Sequence, residues 1–118
     1  MKYARLVLFL LALVPLWAQQ DMGVVTGLVT DPTGAAVPGA KVTVLNRETN
    51  ETRSTETSEA GAYTVGPLRV GTYQITVEKA GFRKALWDRI EVHAQDRVRA
   101  DFRLEVGQVA EQVTVTTE

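Results

Sequence analysis

The chain has 118 residues, 13 lysines and arginines against 14 aspartates and glutamates, one histidine and no cysteine. One domain suits this length. The near-neutral balance lacks the basic face that nucleic-acid binding requires, and without cysteine there is no disulfide framework, thiolate zinc site or cysteine nucleophile.

The first segment reads as a leader. Lys2 and Arg5 give a positive start, Leu6 to Trp17 carry no charge, and Ala18 is a small residue at which cleavage would fall. The apolar run is short of the ~20 residues a membrane-crossing helix needs, so residues 1–18 are expected to be a signal peptide rather than an anchor. No cysteine stands at the cleavage point to take an acyl chain, and the mature chain is expected to hold no transmembrane segment. Export without cysteine fits a bacterial envelope protein, with the periplasm, the periplasmic face of the outer membrane or the medium as destination.

Beyond position 20 the apolar residues recur at period two, the mark of half-buried strands. Val25, Gly27 and Val29 share one face of a first strand, and Val42 and Val44 one face of a second. Asn46 to Glu59 contains no large apolar residue and reads as exposed hairpin strands with their turn, or as a loop. Tyr73, Ile75 and Val77 alternate with Thr72, Gln74, Thr76 and Glu78; Val98, Ala100, Phe102 and Leu104 alternate with Arg97, Arg99, Asp101 and Arg103; Val113 and Val115 repeat the pattern at the end. Asp31-Pro32-Thr33-Gly34, Pro38-Gly39, Gly61, Gly66-Pro67, Gly71 and Gly81 are turn signals between these runs,. An all-β sandwich is the expected fold.

Chemistry-bearing residues are few. His93 stands near Glu91 and Asp96, but without a second histidine, and with Asp96 placed beyond a turn, the triplet is read as solvated surface rather than a metal site. Ser54 and Ser58 lack a Gly-x-Ser-x-Gly turn, so there is no nucleophile elbow. No catalytic residue, metal or cofactor is expected. Tyr63 and Tyr73 fall on inward positions, while Trp87, beside Asp88-Arg89, is read first as a core or rim residue and, as the alternative, as an aromatic at a sheet edge that would contact a glycan. Arg97, Arg99 and Arg103 form an outward basic row that keeps an edge solvated. Asn50-Glu51-Thr52 fits a glycosylation sequon, which matters only in a eukaryotic secretory route.

The string Val25-x-Gly27-x-Val29-x-Asp31-x-x-Gly34-x-x-Val37-x-Gly39-Ala40-x-Val42-x-Val44 resembles the opening of the carboxypeptidase regulatory-like domain family. Gly61-x-Tyr63, Leu68-x-x-Gly71-x-Tyr73-x-Ile75-x-Val77 and Ala80-Gly81-Phe82 follow in that family's order. The resemblance covers residues 22–106. It implies a seven-stranded Ig-like or transthyretin-like β-sandwich, also classed among carbohydrate-binding-like folds, and no enzymatic activity. It further implies the N-terminal extension of a TonB-dependent outer-membrane receptor, here without plug and barrel. The tail, residues 107–118, is similar to the linker after such an extension, where an acidic residue and alternating valines resemble a TonB box. It has two readings: a last strand or frayed end, or an exposed segment in which Glu111, Val113 and Val115 pair with a protein partner in the cell envelope. The expected role is an exported interaction or structural module, with a carbohydrate-binding module as the alternative.

Overall fold

The computed structural model describes residues 21–107 and the backbone of 112–115; the expected signal peptide and Glu111 lie outside the described residues. Nine strands follow one another among them: β1 (Met22–Thr30), β2 (Lys41–Asn46), β3 (Thr52–Glu56), β4 (Ala62–Arg69), β5 (Gly71–Glu78), β6 (Lys84–Val92), β7 (Arg97–Arg99), β8 (Phe102–Arg103) and β9 (Gln112–Val115). They build two sheets. One runs β4-β1-β7 with β8 also on β1, and the other runs β3-β2-β5-β6-β9. The fold is the all-β, two-sheet sandwich expected from period two.

Alternation decides which face of each strand is dry. Along β1, Gly23, Val25, Gly27 and Val29 are buried, and in the facing sheet Val42, Val44, Ile75 and Val77 are almost fully enclosed. Ala100, Phe102 and Leu104 close the core from the C-terminal strands. Burying a side chain of the Val, Ile or Phe class is worth about 1.5–3 kcal/mol, and apolar contact between the sheets is the main attraction holding them face to face.

The strand count has a physical explanation. β7 and β8 pair with β1 in one parallel register, Thr26↔Arg99 and Val29↔Phe102, interrupted between them. At the interruption the Ala100 carbonyl turns inward and accepts a hydrogen bond from the Tyr63 hydroxyl. The Leu28 N–H donates instead to Asp101 Oδ1 at 2.8 Å. Counted as one interrupted strand, β7–β8 completes the seven expected over 22–106, and β9 adds another edge.

Gly27 permits this turn. A Cβ there would lie 1.9 Å from the Ala100 oxygen and 3.0 Å from the Tyr63 ring. Gly66-Pro67, expected as a turn, lies instead inside β4, opposite a register shift between Gly23 and Val25. A Cβ at Gly66 would meet Val24 Cγ1 at 2.6 Å, so glycine marks a close approach of two strands,. Proline is tolerated because β4 is an edge strand, where no ladder partner needs its missing N–H. Arg53 of β3 donates to the exposed Gly66 and Pro67 carbonyls, joining the rims of the two sheets.

The hairpin expected in Asn46–Glu59 is present as β2 and β3, with β3 largely exposed and its turn passing through Asn50 at φ 63°. Asn46 Oδ1 accepts the Glu48 and Thr49 amides at 2.9 and 3.1 Å, satisfying the turn's donors.

Two outcomes follow. Gly27→Ala should cost about 1–3 kcal/mol or more by forcing strands apart, read as a lower urea midpoint at unchanged slope. Burial, and secondarily the Asp101 charge, push the Tyr63 hydroxyl pKa well above its ordinary value of 10.0. The unfolded chain therefore ionises first, so this stabilisation is complete below pH ~10 and lost as pH rises beyond it. Tyr63→Phe should lose about 1–3 kcal/mol at pH 7 and flatten the alkaline limb of a stability–pH curve.

Candidate functional site

Asp31 ends β1 and organises the following turn. Its Oδ1 accepts from the Thr33 amide at 2.9 Å, the Thr33 hydroxyl at 2.6 Å and the Ala35 amide at 3.0 Å, while Gly34 takes φ 88°. The Thr33 hydroxyl, helped by backbone amides, holds its carboxyl below the ordinary aspartate range. This is the local role its place in the turn signal suggests.

His93 follows β6. Its Nε2 lies 3.6 Å from Glu91 Oε2, and both side chains are well exposed. Asp96 Oδ2 accepts the His93 backbone amide at 2.9 Å, so this carboxylate closes the turn. Among the described residues no group of three or more His, Cys, Asp or Glu is arranged to hold a metal ion.

Trp87 is partly buried. Its ring meets Phe102 edge-on at a centroid separation of 5.8 Å and 72°, and its Nε1 is enclosed without a hydrogen-bond partner. The indole therefore stands against the core, on a strand paired on both sides with β5 and β9 rather than at the sheet edge of the alternative expectation. Tyr63 and Tyr73 are inside, as alternation requires, and the Tyr73 hydroxyl donates to the Arg69 carbonyl at 2.7 Å.

Arg97, Arg99 and Arg103 are exposed on the β7–β8 edge. Arg99 pairs with Asp101 at 3.1 Å, and Arg103 donates to the Pro32 carbonyl. The ion pair is solvated and contributes little to stability; its carboxylate matters more as the acceptor for the Leu28 amide.

A cleft of ≈ 160 Å³ opens between the hairpin end of β2–β3 and the end of β4, lined by Asn46, Arg53, Leu68, Arg69 and Tyr73 among others. Sequence reasoning did not find it, because strands distant in the chain form it. Arg53 is engaged with β4 carbonyls and Tyr73 with the Arg69 carbonyl.

The described residues of the tail form a last strand, the first of its two expected readings. β9 runs parallel to β6 with Lys84↔Gln112, Ala85↔Val113, Leu86↔Thr114 and Trp87↔Val115 as partners. Val113 and Val115 thus lie on a strand added to the β6 edge.

Two open-faced sheets, stitched by turns and carrying side chains engaged mainly with backbone, define a β-sandwich module of the transthyretin-like kind. Residues 24–105 match the profile of the carboxypeptidase regulatory-like domain, and the chain belongs to that family, whose domains are generally non-catalytic. No curated protein matches the chain. Among solved structures it is similar to the Bacillus anthracis TIE protein, at 21% identity and TM-score 0.62, covering 73% of this chain and 17% of that one. A putative carbohydrate binding protein from Bacteroides uniformis matches at 20% identity and TM-score 0.58, over 73% of this chain and 42% of that one. Klebsiella pneumoniae 5-hydroxyisourate hydrolase matches at 21% identity and TM-score 0.58, over 73% and 92%. The chain thus spans less than half of the first two, and at these identities the likeness concerns the fold.

Because the Asp31 pKa is lowered in the folded state, its contribution is present above the ordinary aspartate pKa and lost as pH falls through the depressed one. Asp31→Asn should make acid unfolding less steep in that window, followed by Trp87 fluorescence.

Proposed function

We propose that the chain is an exported, non-enzymatic interaction and structural module of the bacterial cell envelope. It acts as the N-terminal extension of a TonB-dependent outer-membrane receptor does, on the periplasmic side, and its tail offers a strand to a protein partner. One observation carries this reading: residues 24–105 match the carboxypeptidase regulatory-like domain; the tail, paired with the chain's own β6, already holds the extended backbone that strand addition needs. Main-chain pairing gives such recognition its affinity, and alternate side chains, here Val113 and Val115, give it selectivity. The family assignment supports a binding rather than a catalytic role. So does the use of Tyr63, Tyr73, Asp31 and Asp96 in hydrogen bonds to backbone.

The second reading, a carbohydrate-binding module, draws support from the Bacteroides uniformis neighbour and would rest on Trp87. One pair of titrations separates the two. The chain from Gln19 onward is titrated with the purified periplasmic domain of TonB, and separately with a glycan panel, following Trp87 fluorescence. The envelope reading expects saturable binding to the protein that weakens at least tenfold in Val113→Pro. Saturable glycan binding abolished by Trp87→Ala, with no response to the protein, would transfer the assignment to the sugar binder.

A further inference from the structure

On one flank of the sandwich the edge strands β3 and β4 of the two sheets come together, joined by Arg53. Alternation along β2 turns Val44 and Asn46 inward, and the pairing Val44↔Arg53 puts Arg53, with Glu51 two residues before it, on the same side. Here the inward row changes from apolar to polar. The ≈ 160 Å³ cleft beside β4 lies where the change occurs: Val44, Leu68 and Tyr73 are its buried apolar lining, and Asn46, Glu51, Arg53 and Arg69 its polar lining.

Asn46 is only 8% exposed, and the orientation of its amide is fixed. Oδ1 accepts the Glu48 and Thr49 amides, so Nδ2 is the group turned away from the hairpin, and among the described residues nothing accepts a hydrogen bond from it. A Cβ at Gly71 would lie 3.5 Å from this nitrogen, so the glycine keeps the space beside it open. Nδ2 is a free donor in the cleft lining. Arg53 is held on the Gly66 and Pro67 carbonyls, which fixes its charge in place and leaves further guanidinium N–H groups over,. Arg69, whose backbone carbonyl takes the Tyr73 hydroxyl, and Glu51 have no ion-pair partner among the described residues.

These groups select by charge. A simple anion meets the Glu51 carboxylate and a simple cation meets two guanidinium groups, whereas a zwitterion satisfies both signs. Size selects further, because ≈ 160 Å³ is below the roughly 300–1,000 Å³ of pockets for drug-sized ligands and equals the liquid volume of about five waters. The apolar lining suits an aliphatic side chain. We propose that this flank binds a free α-amino acid with an aliphatic side chain. Its carboxylate is taken by Arg69 and the Asn46 Nδ2, its ammonium by Glu51, and its side chain lies against Leu68 and Val44. Such a ligand bridges the β2–β3 hairpin to β4, linking the rims of the two sheets. The site lies apart from the tail and from Trp87, and it adds a small-molecule ligand to the module.

The test is an NMR titration of the isotope-labelled chain with L-leucine. The amides of Asn46, Arg53, Arg69 and Tyr73 should shift saturably, with a Kd on the order of mM or below for so small a ligand. Isocaproate, which lacks the ammonium, and isoamylamine, which lacks the carboxylate, should each bind at least tenfold more weakly. Arg69→Gln and Asn46→Asp should each weaken L-leucine at least tenfold. Aspartate keeps an acceptor for the Glu48 and Thr49 amides and removes only the donor, so the hairpin is retained. Glu51→Gln should weaken L-leucine at least tenfold without weakening isocaproate, a split that general loss of structure does not produce. Absence of saturable shifts, equal affinity for L-leucine and either analogue, or unchanged affinity in Arg69→Gln overturns the proposal. So does D-glucose shifting the same amides at lower concentration than L-leucine, which hands the cleft to the sugar-binding alternative. Arg69 and Glu51 are exposed, so their variants decide the matter even where Asn46→Asp fails to fold. No arm involves TonB, the tail or Trp87, so failure of this site is distinguishable from failure of the envelope reading.

Discussion

The approach of the Ala100 carbonyl to Gly27 fixes where the ladder between β1 and the C-terminal strand of its sheet breaks. Glycine leaves the space, the Tyr63 hydroxyl fills the carbonyl's hydrogen-bonding need, and the ladder between β1 and the C-terminal strand is broken there. Inside a protein an unmet carbonyl costs far more than a met one gains, so the three residues form a unit. Around it the core follows: Tyr63 packs on Phe102 at 6.4 Å, Phe102 on Trp87 at 5.8 Å, and Phe102 sits next to the strand interruption. Asp101 then repairs the exposed side of the break by accepting the Leu28 amide.

The same economy extends over the surface. Polar side chains that would attract attention as chemistry are engaged with the backbone: Asp31 and Asp96 in turns, Arg53 and Arg103 on carbonyls, and Thr57 between Val37 and Ala40. Thr57 is buried with its hydroxyl donating to the Val37 carbonyl and accepting the Ala40 amide at 2.6 and 2.8 Å. A small sandwich has many turns and few helices to satisfy its backbone, and side chains must supply the remainder.

Legibility in the sequence followed the regularity of the backbone. β1, β2 and β5 keep strict alternation, and their inward residues Val25, Val29, Val42, Val44, Tyr73, Ile75 and Val77 are all buried. β6 was harder to read because its inward positions change phase: Ala85 is buried on one side of a register shift, Ile90 and Val92 on the other. A bulge adds a residue to one strand, so period two fails across it. Gly66-Pro67 misled for a related reason, since the dipeptide that marks a turn also suits a close-packed edge strand. Of the candidate residues, the local roles of Asp31 and Gly34 were readable because both act within one turn. Trp87 lies against the core, as a core or rim residue would, but its partner Phe102 comes from a distant strand and has no local signal.

The sequence by itself determined the class of structure: strands from period two, turns from glycine and proline, and the family from glycines and valines at fixed spacing. These are local properties, set by backbone sterics and by which face of a strand is apolar. The tertiary structure decided which strands share a sheet, where the ladder breaks at Ala100, which carbonyls Arg53 covers and which edge receives the tail. Those depend on groups far apart in the chain meeting in space, and the hydrogen bonds they make have no periodic signature along it.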